Sequence, residues 1–218
     1  PYQIKAILFN PSSRSKYEAI KNVIIGGAPI DLKLENELTQ LSNQNYATFG
    51  MTETITHFAL KIIDTHIFQR MRNILQLSTC QYVYPNAKHS RFEHLLGTYH
   101  LAGRIIKRIA DTISETEITS AFSGIEYLKS YFDKKPLAFD IYIQELIKIA
   151  ALTHDIGHGP FSHLFDDVII ARSKHKNHYY ASHENRSCAL LKTIIRNDPE
   201  LSAIVSNDEI NFMQSLIS

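Results

Sequence analysis

The stretch His154-Asp155-Ile156-Gly157-His158-Gly159-Pro160-Phe161-Ser162-His163-Leu164-Phe165-Asp166-Asp167 puts three histidines, three aspartates and two glycines into fourteen residues. It follows Ile141 to Thr153, where apolar residues recur at helical spacing and Asp140 is placed to cap. A helix is therefore expected to run into a break rich in imidazole and carboxylate. Gly157 and Gly159-Pro160 are expected to end that helix, and Pro160 suits the first turn of a following one. Adjacent side chains on a regular helix diverge by about 100°. His154 and Asp155 can therefore meet at one point only at a helix end. Imidazole nitrogen with carboxylate oxygen suits a borderline or hard divalent ion. His154 and His158, four apart, would share one face of a continuous helix, but Gly157 makes continuity unfavourable. His163 and Asp166 are three apart on the next helix and can touch, an arrangement a general acid or base needs.

Outward from this break the chain reads as mostly helical. Ile62, Ile63, Ile67, Met71, Ile74 and Leu75 recur at three- and four-residue spacing, and Leu95, Leu96, Tyr99, Leu101, Ile105, Ile106 and Ile109 continue a second apolar stripe. Residues 111–140 read as a variable connection with a short helix, 173–182 as an exposed polar and basic loop, and Glu184 to Ile195 as another helix. Residues 1–50 differ in character. Tyr2 to Phe9 reads as a short strand, Gly26-Gly27-Ala28-Pro29 as a breaker, and Leu34, Leu38 and Leu41 fall at helical spacing. The expected fold is an irregular all-helical bundle over 51–218, with an N-terminal arm or small subdomain over 1–50.

Composition narrows the functional classes. The 218 residues hold 23 Lys and Arg against 22 Asp and Glu, a net charge of +1, so a dedicated nucleic-acid coat or polybasic membrane binder is excluded. A hydrophobic share of 44% excludes wholesale disorder. Two cysteines far apart, Cys80 and Cys188, read as reduced thiols of an intracellular (cytoplasmic or nuclear) protein, not a secreted one. No apolar run approaches the roughly 20 residues of a membrane helix. Two further histidine groups accompany the central one: His89-Ser90-Arg91-Phe92-Glu93-His94 and His183-Glu184-Asn185. Neither has zinc-protease spacing, and neither a Walker phosphate loop nor a nucleophile elbow is present.

These segments resemble the HD superfamily of metal-dependent phosphohydrolases, and within it the deoxynucleoside triphosphate triphosphohydrolase branch typified by the SAM-and-HD-domain enzyme. The resemblance rests on Ile63-Asp64-Thr65, Phe68 to Arg72, Gln76-Leu77, His89 to Gly97, His154 to His163 and His183-Glu184, in that order. It implies His94, His154 and Asp155 as ligands of a divalent ion (Fe, Mn, Zn or Mg). It implies His163 as acid or base, oriented by Asp166, with His158 and His183 facing the substrate phosphates. Arg91 would contact the triphosphate, and Gln76 and Leu77 the deoxyribose. Asp64, Gln69 and Arg72 would border a regulatory nucleotide site. Structural alternatives stay open: Asp166 as a helix-surface acid, Arg91 paired with Glu93 or another acid, and Asp64, Gln69 and Arg72 as a capping network.

The resemblance implies hydrolysis of a deoxynucleoside triphosphate to deoxynucleoside and triphosphate, a nucleotide effector, and a homo-oligomer (dimer or tetramer), with no membrane partner. The alternatives are another HD-type nucleotide phosphohydrolase or phosphodiesterase, and a non-catalytic protein that binds nucleotide or nucleic acid. The family's fourth metal ligand, an aspartate far downstream, is expected beyond Ser218, with Asp208 read as a helix N-cap instead. Met51-Thr52-Glu53-Thr54 stands where the family has Asp-Pro-x-His-Gly, an element of the regulatory site, and no SAM domain is recognisable in residues 1–50.

Overall fold

The computed structural model describes residues 24–26, 46–48, 55–132 and 140–218. The chain divides into two units, Pro1–Asp64 and Thr65–Ser218. In the first, β1 (Ile24–Gly26) and β2 (Tyr46–Thr48) pair in parallel, with Ile24 opposite Tyr46. Helix α1 (His57–Ile63) follows, its start fixed by Thr56 Oγ1 accepting from the Ala59 N–H at 3.1 Å. The strand expected over Tyr2 to Phe9 and the helical turn of Leu34, Leu38 and Leu41 lie outside the described residues.

The second unit is helical: α2 (His66–Gln69), α3 (Arg91–Thr112), α4 (Glu115–Ser123), α5 (Lys129–Phe132), α6 (Ile141–Thr153), α7 (His183–Asn197), α8 (Pro199–Ile204) and α9 (Asn207–Ser215). The apolar spacing over 62–75 does not make one helix. Thr65 is extended and its hydroxyl accepts from the Phe68 N–H at 3.2 Å, so it starts α2 rather than continuing α1. The chain then tightens into a 3-10 turn, Arg70–Asn73, and runs to an isolated antiparallel bridge between Leu75 and Ser90. That bridge lays Gln76 beside the start of α3, where the Ser90 N–H donates to Glu93 Oε2 at 2.7 Å.

Helix α3 lies along α6. Thr98 Oγ1 donates to the Ala151 carbonyl at 3.0 Å, and Tyr99 Oη donates to Glu145 Oε1 at 2.9 Å, so polar bonds fix the register of the pair. Leu95, Tyr99 and Ile106 on α3 are buried, as are Ile143, Leu146, Ile149 and Leu152 on α6. Each fully buried aliphatic side chain contributes about 1.5–3 kcal/mol. Leu101 and Ile105, expected in the same stripe, are exposed. Leu101 lies six residues after Leu95, about 240° round the helix, which puts it off the buried face.

Helix α6 is capped by Asp140 Oδ1, which accepts from Tyr142 and Ile143 N–H. It ends at Thr153, with His154 as its C-terminal cap, before either glycine is reached. Pro160 does not open a helix. Phe161 and Ser162 instead take left-handed φ values of 63° and 58°, and Phe165–Ile170 winds as a π-helical segment. Cys188 on α7 is buried, and its carbonyl accepts from Gln214 Nε2 on α9 at 2.8 Å, tying those helices. At α9 the cap is Ser206 with Glu209, not Asp208, which sits inside the first turn. Among the described residues no helix is long and apolar enough to cross a membrane.

Candidate active site

Three side chains converge where α6 ends against the first turns of α3. His94 Nε2 and His154 Nε2 are 3.4 Å apart, and each lies 3.2 Å from Asp155 Oδ2. The end of α6 makes this possible: His154 is its cap, and His154 and Asp155 are the two central residues of a turn in which the Ile156 N–H bonds to the Thr153 carbonyl. His154 Nδ1 is 2.8 Å from the Ala151 carbonyl. A carbonyl only accepts, so Nδ1 carries a proton and Nε2 is the nitrogen turned toward His94 and Asp155. Ligand atoms about 2.1 Å from one divalent ion lie about 3.0 Å apart at right angles and about 3.4 Å apart in a tetrahedron. The observed triangle falls in that range, and the N, N, O donor set fits such an ion.

Electrostatics favour the ligand forms in part. Burial opposes charge on Asp155. The hydrogen bond and charge of His154 and the charge of Arg91 outweigh it and hold the carboxyl far below its usual range. Burial lowers His94 despite the pull of Asp155, keeping its ring neutral. His154 is raised: burial works against its charged form, but the hydrogen bond to Asp155 prevails.

Arg91, at the first position of α3, is 1% exposed. Its Nη1 donates to Asp155 Oδ2 and its Nε donates to Ser162 Oγ at 2.6 Å. Arg91 thus pairs with an acid other than Glu93. Its Nη2 is buried and has no hydrogen-bond partner. Ser162 Oγ in turn donates to the Gln76 carbonyl at 3.1 Å, while Gln76 Oε1 is buried without a partner. Leu77 beside it is 45% exposed. One free donor and one free acceptor are therefore held near the triangle by a chain that runs Asp155, Arg91, Ser162, Gln76. The left-handed backbone at Phe161 and Ser162 costs roughly 1–2 kcal/mol per residue and aims the Ser162 hydroxyl into that chain.

A second group is His158, His163 and His183. The rings of His158 and His183 stack at 3.8 Å, and His163 meets both edge-on at 4.7 and 5.2 Å. His158 is fully buried, lowered by that burial, and neither of its ring nitrogens makes a hydrogen bond. Its Nε2 is 3.4 Å from Asp155 Oδ1, so the carboxylate faces the triangle with one oxygen and the histidine stack with the other. Asp166 does not hold His163. Its Oδ2 is 2.9 Å from His183 Nδ1 and its Oδ1 accepts from Arg186. The π-helical winding from Phe165 breaks the three-residue relation that would join His163 to Asp166 on an α-helix.

Gly157 is required by close approach. A Cβ there would stand 2.2 Å from the His183 carbonyl and 2.5 Å from Ser187 N, while the Gly157 N–H donates to Ser187 Oγ at 2.8 Å. A Cβ on Gly159 would enter the Phe165 ring. Asp64 closes α1 in the first unit. In the second, Arg72 Nε donates to Gln69 Oε1 at 2.7 Å and its guanidinium lies 3.5 Å over the Phe92 ring, so those two form a local pair. Sequence reasoning missed Ser162, Arg70 and Arg186. Arg186 stands three residues after His183, on the same helix face, and that spacing was the one available signal.

A family model for the HD domain matches residues 91–213. The chain is 42% identical over 164 residues to an HD domain-containing protein of Acanthamoeba polyphaga mimivirus, covering 75% of this chain and 33% of that protein. It is 37% identical over 163 residues to a deoxynucleoside triphosphate triphosphohydrolase SAMHD1 homolog of Dictyostelium discoideum, covering 75% and 27%. It is 34% identical over 164 residues to the deoxynucleoside triphosphate triphosphohydrolase SAMHD1 of Mus musculus, covering 72% and 21%. The chain spans about a fifth to a third of the length of these relatives. The matched region starts at Arg91 and contains the triangle and the histidine stack; on both grounds this chain belongs to the HD domain family.

Proposed function

We propose that the protein is a metal-dependent phosphohydrolase that cleaves deoxynucleoside triphosphates to deoxynucleoside and triphosphate. The observation that carries the hydrolase reading is the 3.2–3.4 Å triangle of His94, His154 and Asp155 beside a stack of three histidines. The dNTP substrate is supported by the names of the Dictyostelium and mouse relatives. His94, His154 and Asp155 would hold a divalent ion, which when bound would supply Lewis acidity toward a phosphoryl oxygen or a water.

The chain's own residues do the rest. Arg91 Nη2 donates to a phosphate oxygen, the free donor of a fork whose other nitrogens are already engaged. His158 and His183 line the phosphates, and Gln76 Oε1 accepts from a sugar hydroxyl, with Leu77 against the ring. Water oxygen joins the α-phosphorus and releases one proton to solvent, the bond from phosphorus to the 5′ oxygen breaks, and His163 gives that oxygen its proton and is reprotonated from solvent. A nucleotide effector and a homo-oligomer belong to the same reading and rest on the resemblance.

The test is product analysis with each dNTP and a series of divalent ions. Equal amounts of deoxynucleoside and triphosphate are expected. Orthophosphate without triphosphate would assign the site to another HD phosphohydrolase, and binding without turnover would make it a binding site. His163→Ala should lower turnover about 10²-fold with metal content unchanged, and undiminished turnover would remove His163 from the reaction.

A further inference from the structure

One guanidinium is bonded to all the segments that carry the histidine stack. Arg186 Nε donates to the Gly157 carbonyl at 2.8 Å, next to His158. Its Nη1 donates to the Tyr180 and Ala181 carbonyls at 2.7 and 2.8 Å, in the turn that leads into His183. Its Nη2 donates to Asp166 Oδ1, three residues after His163. Arg70 takes the carbonyls on either side of Gly157, Ile156 at 2.5 Å and His158 at 2.7 Å. Three successive carbonyls after Asp155 therefore face two arginines. Only Arg186 also holds an acid, and that acid holds a histidine.

We infer that Arg186 is a positioning residue that sets the rotation of the Asp166 carboxylate and, through it, the tautomer and aim of His183. The inference rests on the proposed role of His183 at the substrate phosphates and adds the device that orients it. Arg186 claims Oδ1, so Oδ2 is the oxygen turned to His183 Nδ1 at 2.9 Å. A carboxylate accepts, so Nδ1 carries a proton held by Asp166, and Nε2 is turned away from Asp166, 3.3 Å from Glu184 Oε1 and 3.9 Å from Asp155 Oδ1. The planar fork is needed because the acceptors lie in three directions from one group; a lysine ammonium cannot reach from Gly157 to Asp166 at once.

The experiment is nitrogen-15 and proton NMR of the imidazoles in the full chain, metal-free and Zn2+-loaded, with the His183 signals assigned by their loss in His183→Gln. The wild-type protein should show His183 with a protected Nδ1 proton. Arg186→Lys should lose that protection, whereas Arg70→Lys, which loosens the same loop without touching Asp166, should keep it. In dNTP hydrolysis Arg186→Lys should lower kcat about tenfold with KM within about twofold, and should add nothing to an Asp166→Ala background. An Nε2–H tautomer in the wild type, an unchanged His183 signal in Arg186→Lys, or additive losses with Asp166→Ala would each overturn the inference. If the wild type turns over no dNTP, the proposed activity fails, and the NMR result alone decides the role of Arg186.

Discussion

Asp155 serves two neighbours at once. Its Oδ2 lies against His94, His154 and the Arg91 guanidinium, while its Oδ1 faces His158 and His183. Asp155→Ala removes the one oxygen donor of the triangle and leaves Arg91, 1% exposed, without its counter-charge. Loss of bound metal by elemental analysis is expected, together with a destabilisation of about 3–5 kcal/mol from the uncompensated buried charge. Metal retained at the wild-type level would exclude Asp155 as a ligand. His154 makes a pH prediction. Its pKa is raised above the ordinary histidine value, so its proton competes with the metal at neutral pH and below. Apparent metal affinity should fall as pH is lowered from 8 to 6, because binding must then displace that proton. A flat affinity across this range, measured by calorimetry, would contradict it.

At the scale of elements, the site is built from helix ends and from backbone that is not α-helical. The stop of α6 at Thr153 brings His154 and Asp155 together, and two left-handed residues aim Ser162. The π-helical turn at Phe165 hands Asp166 to His183. Gly157 lets the loop touch the first turn of α7, where an added methyl meets backbone atoms that cannot swing aside. Gly157→Ala should therefore lower the melting temperature and weaken metal binding together, because the loop that moves is the one continuing from Asp155. A variant with unchanged melting and unchanged metal content would show that the loop has room. The helix ends were legible where a cap is local: Asp140 before α6 could be read from its neighbours, and so could the break after Thr153. The partner of Asp166 could not, because three-residue spacing predicts contact with His163 only if the winding is α-helical.

Over the second unit as a whole, α3 and α6 form the frame that holds His94 opposite His154. Between them lies a buried polar group: Tyr99 Oη and Lys148 Nζ both donate to Glu145, at 2.9 and 3.0 Å, and Lys148 sits 4.3 Å over the Tyr99 ring. Glu145 is 3% exposed, and the pKa of Lys148 is raised: burial opposes its charge, but Glu145 prevails. Glu145→Ala should cost about 2–4 kcal/mol in denaturant unfolding, because it takes the counter-charge from a half-buried ammonium. A joint Glu145→Leu and Lys148→Met replacement should recover most of that loss, and failure to recover would mean the group fixes the packing of the pair as well as its charge balance. Residues 62–75 mark where pattern reading stopped. Their apolar spacing is helical, yet Thr65 breaks the run by bonding its hydroxyl to the next turn.

The sequence by itself determined the helical class, the gathering of histidines with carboxylates and the family, because apolar period, capping residues and the order of the histidine blocks are properties of neighbours along the chain. Only the tertiary structure decided which acid holds which base. Asp155 and Arg91, His183 and Asp166, and Arg186 with Gly157 are 64, 17 and 29 residues apart. Such pairs are set by how helix ends meet in space, and no local spacing carries that information.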